Sequence, residues 1–143
     1  MNGKEYPRSV HPAGLVFYND KGNECGGIAL VNVESGEQTM TVFDYSNSEE
    51  IGLGKYESED GSYYEAGISI TDRVPLGADI EKVGSVGKER VSISNSNKTA
   101  TIRLSDPAGK TRILLSVDSA GSPVFQILDT AGKTIFNPLD SLK

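Results

Sequence analysis

The chain has 143 residues, 36% of them hydrophobic and 24% charged, which is ordinary for one globular domain with enough material for its own core. The formal net charge of −6 makes the surface repel phosphate, against a general nucleic-acid binder and against docking on anionic lipid through a basic patch. A lone cysteine, Cys25, excludes an internal disulfide and cannot alone build a zinc site, and no apolar run is long enough for a membrane helix or a signal peptide.

Residues 1–12 are polar, carry two prolines and read as an irregular arm. Four segments with a weak period-two pattern follow: Leu15 to Tyr18, Gly26 to Val31, Gln38 to Phe43 and Glu50 to Tyr56. The pattern is strongest at Tyr63 to Thr71. There Tyr64, Ala66, Ile68 and Ile70 fall on one side and Tyr63, Glu65, Ser69 and Thr71 on the other, as a strand with one buried face requires. It breaks at Val74 to Lys88, where Pro75, Gly77, Gly84 and Gly87 indicate a long surface loop with room for a helical turn at Ala78 to Val83. Alternation returns at Val91 and Ile93, at Ala100, Ile102 and Leu104, and at Ile113, Leu115 and Val117. Phe125 and Ile127 continue it, and Ile135 closes it.

The turns share a design. Asp106 to Gly109, Asp118 to Gly121 and Asp129 to Gly132 all read Asp-x-x-Gly, and Asn19 to Gly22 is a relative. The Asp or Asn side chain accepts a backbone N–H two residues on, and the glycine takes the left-handed conformation that rejoins the strands. One turn per strand predicts a single all-β domain over 1–143. Its architecture is an antiparallel meander of about ten short strands, closed as a barrel or packed as a two-layer sandwich. A β-propeller needs more strands than this length supplies.

These residues resemble a family of uncharacterised bacterial proteins. The likeness is carried by Gly3 to Tyr6, Pro12 to Gly14, Phe43 to Tyr45, Ala66 to Arg73 and Leu104 to Lys133. It is strongest over Phe17 to Gly27, with its Asn-Asp-x-Gly-x-Glu-x-Gly-Gly run. Longer members of that family carry an N-terminal apolar segment and a further hairpin, so the resemblance allows a membrane-tethered or exported longer form. It implies no activity and no cofactor.

Candidate chemistry is sparse. Gly109-Lys110-Thr111 and Gly132-Lys133-Thr134 mimic the end of a phosphate loop, but Leu104 and Ile127 stand where its first glycine belongs. His11, the only histidine, lies in the arm, and Cys25 reads as a buried strand residue rather than its nucleophilic partner. Glu24, Asp44, Asp72 and Arg73 sit at predicted strand ends and form the first candidate for a binding site. Two convergent carboxylates there suit glycoside hydrolysis, or oxygen ligation of calcium with Asp44, Asn47, Glu49 and Glu50. The competing expectation is that Asp72 and Arg73 satisfy turn backbone and form ion pairs. Tyr56, Tyr63 and Tyr64, near Glu57 to Asp60, suit sugar stacking, although opposite faces for Tyr63 and Tyr64 put at least one in the core.

Three functions follow, in order of preference. The first is a noncatalytic structural or protein-interaction module, with a protein partner or homo-oligomer and no nucleic-acid or membrane contact. The second is a small-ligand or carbohydrate-binding β-barrel, and the third a carboxylate-dependent hydrolase.

Overall fold

A computed structural model of the chain describes residues 13–33, 35–45, 48–78 and 86–138. The expected arm, the helical turn after Ala78, His11 and Asn47 lie wholly or mostly outside these residues.

The described chain is one antiparallel meander of ten strands: β1 (Ala13–Tyr18), β2 (Glu24–Val33), β3 (Gly36–Asp44), β4 (Glu49–Ser58), β5 (Tyr64–Thr71), β6 (Glu89–Ser96), β7 (Thr99–Ser105), β8 (Thr111–Val117), β9 (Pro123–Leu128) and β10 (Thr134–Phe136). Each strand pairs with its neighbours in sequence, so the order across the sheet is the order in the chain. The sheet is open, with β1 and β10 at its two edges. The barrel expected as one alternative is therefore not what these strands form. Among the described residues no helix is long and apolar enough to cross a membrane.

The Asx-turns form as the sequence predicts. In the β8–β9 turn the Asp118 carboxylate accepts from Ala120 N at 2.9 Å and Ser122 N at 2.8 Å, and Gly121 N donates to Asp118 O at 3.0 Å with Gly121 at φ +87°. Asp106, Asp129 and Asn19 repeat the same pair of side-chain bonds.

Register exposes a regularity. In each of the five hairpins β1–β2, β3–β4, β5–β6, β7–β8 and β9–β10 the ladder shifts beside the connection. The residue left over is the second of the returning strand: Cys25, Glu50, Arg90, Arg112 and Ile135. The fold is thus five hairpins of one design, each bulged at the same end of the sheet. The last bulge corrects an expectation. Phe136, not Ile135, stands opposite Ile127, and its ring meets Phe125 edge-on at 6.1 Å.

Direct cross-strand partners share a face, so the ladder defines rows across the sheet. One row runs Leu15, Ile28, Thr41, Leu53, Ile68, Ile93, Ile102, Leu115 and Phe125. The next, two residues along each strand, runs Phe17, Gly26, Phe43, Ile51, Ile70, Val91, Leu104, Ile113, Ile127 and Phe136. Both are free of charge and apolar at every place except Thr41 and Gly26. The opposite face is mixed, with glycine and polar residues in its middle, as in the row Val16, Gly27, Val42, Gly52, Ser69, Ser92, Arg103, Leu114 and Gln126.

Among the described residues nothing packs over the apolar face. Every substantial contact between strands joins sequence neighbours, so the described strands form one layer. The buried apolar residues among those described are Val31, at 6% exposure on the polar face, and Val74, at 1% in the segment after β5. Val74 also shows that the predicted surface loop starts from a buried anchor. Leu15, Phe17, Phe43, Ile51, Leu53, Ile68 and Ile70 remain exposed, as do Ile93, Ile102, Leu104, Leu115 and Phe136.

Candidate functional site

The expected carboxylates Glu24, Asp44 and Asp72 lie at the bulged end of the sheet. Asp44 ends β3, opposite Glu49, and Tyr45 N closes the tight connection on Ser48 O at 2.9 Å. Glu50, the bulge residue, is buried at 5% exposure and accepts from the Ser48 hydroxyl at 2.8 Å through one oxygen. Its other oxygen and one oxygen of Asp44 are buried without a hydrogen-bond partner. Burial pushes the Asp44 carboxyl up to about 6, helped by the charges of Glu49, Glu24 and Glu50. Burial also raises Glu50, with Asp72 adding to the rise while the Ser48 bond and Arg73 oppose it. Glu24, Asp44, Asp72 and Arg73 therefore lie within one electrostatic neighbourhood.

Asp72 and Glu50 are bonded within the fold. Among the described residues no three acidic, histidine or cysteine side chains converge to hold a metal ion. The open grooves described lie elsewhere, the first about 350 Å³ on the polar face over Gly52, Gly54, Gly67 and Ser92. Asp72 instead has a hairpin role. Its N–H bonds Lys88 O at 2.9 Å, just as Asp106 N bonds Lys110 O and Asp129 N bonds Lys133 O. Arg90 then grips Asp72 at 2.8 Å and Ser105 O at 2.8 Å, while Arg112 reaches Asp106 at 3.6 Å and Leu128 O at 2.7 Å. Each bulge arginine thus ties the turn acid of its own hairpin to the backbone of the next. Arg73 stacks its guanidinium 6.0 Å from the centre of the Tyr45 ring, at the outer limit of a cation–π contact.

Arg90 is the residue that matters most here and that the sequence leaves unmarked, while Glu50 stands in the sequence only as one acid of a local cluster. Both occupy bulge positions, which only the register reveals.

The tyrosine cluster is likewise tied to the protein. Tyr56 OH bonds Ser35 O at 3.0 Å and Ser35 Oγ at 2.9 Å, and Tyr63 OH bonds Glu65 and Ser96. The Tyr56 and Tyr63 rings lie 5.9 Å apart, tilted by 46°. Contrary to expectation neither Tyr63 nor Tyr64 is in a core, because both faces of this layer are open. Asp60, in the same connection, accepts from Ser58 and Ser62, which hold it down to about 2. Cys25 is half-buried, with its thiol directed to Phe17 O at 3.4 Å.

Among the described residues, the feature left without a structural partner is the apolar face itself. It lies across β1 to β10 and includes a hollow over Ala100, bounded by Ile93, Ile102, Leu115, Val117 and Phe125. Comparisons with protein-family models, curated proteins and solved structures give no significant match.

Proposed function

We propose that this chain is a noncatalytic structural module that works by presenting its apolar sheet face to a protein surface. One observation carries the reading: two uncharged apolar rows span the sheet, and among the described residues no second layer lies above them. A stable domain packs at least two layers around a core. The chain exposes 9746 Å², whereas a compact monomer of 15.3 kDa exposes roughly 7,100 Å². Monomers seldom leave an apolar patch above roughly 600 Å² open, and larger ones mark interaction surfaces.

The carboxylate cluster supports the same reading by its bonding. Asp72 is bound to Arg90, and Glu50 to Ser48, in arrangements that hold turns together. A membrane-spanning barrel is disfavoured, because the two apolar rows rise only roughly 14 Å against the roughly 25 Å band such barrels need.

The test is association together with apolar-dye binding, measured at micromolar concentration. The reading expects the chain either to associate through this face or to bind the dye as a monomer. A folded monomer that does neither has its apolar rows covered from within, and the reading fails.

A further inference from the structure

We infer that the occupant of the apolar face is a second copy of this chain, packed face to face to make a two-layer sandwich of two ten-stranded sheets. This rests on the interaction-module reading above and names its partner.

The dimensions agree. Ten strands at about 4.8 Å spacing and the two uncharged rows at about 6.8 Å give a face of roughly 45 Å by 14 Å. That is roughly 600 Å² per copy, or roughly 1,200 Å² for a pair, at the lower end of a stable interface. Two such faces stack at about 10 Å, the ordinary separation of sheets in a sandwich.

The chemistry agrees as well. Across a two-fold axis the residues at the axis meet their own copies, so a face that pairs with itself must be uncharged at its centre. Here the centre is Ile68, Ile70, Val91 and Ile93 on β5 and β6. Charge enters only in the third row and beyond, where Lys55 bonds Glu37 at 3.2 Å on the same strand-pair end. The hollow over Ala100 leaves space for side chains of the opposing layer.

Light scattering on the purified chain and on Ile93→Glu and Ser94→Glu tests the inference, with thermal unfolding followed over a hundredfold concentration range. The expected result is a mass of twice 15.3 kDa, with a melting temperature that rises with concentration. Ile93→Glu is expected to weaken association by ~100-fold or more, while Ser94→Glu, on the same strand but the other face, leaves it intact. If Ile93→Glu does not fold, the concentration dependence of the unaltered chain decides. A folded monomer that binds apolar dye overturns the second copy and leaves the interaction-module reading standing. A dye-free folded monomer overturns both. A mass of three or more copies, or a dimer that survives in folded Ile93→Glu, overturns the face-to-face pair.

Discussion

Ile68 on β5 and Ile93 on β6 stand directly opposite one another at the middle of an uncharged row, yet remain 40% and 44% exposed. Their flanks are covered by row neighbours and their crowns are open. Cross-strand pairs of this kind stabilise a sheet by about 0.2–1 kcal/mol each, and they leave half of each side chain's transfer free energy unrealised until a second layer arrives. On the proposed pairing, stability and association are one property in this fold.

Asp44 provides a pH signature. Its carboxyl is pushed up to about 6 by burial and by three neighbouring carboxylates, so the native state holds the proton more tightly than the unfolded chain does. Stability then falls as pH rises from about 4 to about 6 and is flat above. Asp44→Asn removes the charge and is expected to stabilise the protein at pH 7.5, with no effect near pH 3.5. The carboxylate is partly open to solvent, which reduces the gain to about 1 kcal/mol, or about 3 °C in melting temperature. Melting curves of both proteins across that range check it.

Gly26 is expected to tolerate no side chain. It sits at φ +131° beside the first bulge, and a Cβ there would lie 2.2 Å from Val42 O on β3. Gly26→Ala should cost about 2–4 kcal/mol, read as loss of hydrogen-exchange protection in β1 and β2 before the rest of the sheet. This accounts structurally for part of the Asn-Asp-x-Gly-x-Glu-x-Gly-Gly run: Asn19 makes the turn and Gly26 lets three strands pass closely.

Arg112 is expected to resist conservative replacement. Its guanidinium bonds Leu128 O while facing Asp106, and a lysine cannot hold both directions at once. Arg112→Lys should destabilise by about 1–2 kcal/mol, and Arg90→Lys should do the same through Asp72 and Ser105 O. Urea titrations of the two variants, singly and combined, check this. The effects should add, since each arginine ties a different pair of hairpins.

Asp118 tests the turn chemistry. Backbone N–H groups of Ser122 and Ala120 hold its carboxyl below the usual range. Its contribution is complete above the unfolded carboxylate value and is lost as pH falls through the lowered native one. Asp118→Ala should lower the melting temperature by a few degrees at neutral pH. Asp118→Asn, which keeps an acceptor, should restore most of the loss, and the gap between wild type and Asp118→Ala should close in strong acid.

The strands and turns were legible because their signals are local. Alternation along Tyr64 to Ile70 and the Asp118 to Gly121 turn need only a few consecutive residues, and both appear where expected. Strand ends were less legible, since β2 and β4 extend two or more residues past their apolar stretches through Glu24, Glu49 and Ser58. The five-hairpin regularity was hidden because its connections differ in length, the β5–β6 loop most of all. Asp72 therefore looked like a site residue, although its partner Arg90 shows it to be the turn acid of a longer hairpin. Period two also states that a strand has one apolar side, and is silent on what covers it. That is why both a barrel and a sandwich fitted the sequence, while the open layer came only with the register.

The most direct measurement is the solvent accessibility of isoleucine methyl groups, read by a soluble paramagnetic probe in the unaltered chain and in Ile102→Glu. Ile28, Ile51, Ile68, Ile70, Ile93, Ile113 and Ile127 all belong to the two apolar rows, and Ile135, 62% exposed, is the internal control. The account predicts protected row methyls in the unaltered chain at high concentration, exposed ones on dilution and in Ile102→Glu, and an Ile135 methyl exposed throughout. Row methyls exposed at every concentration, or protected even in a dilute monomer, would contradict it.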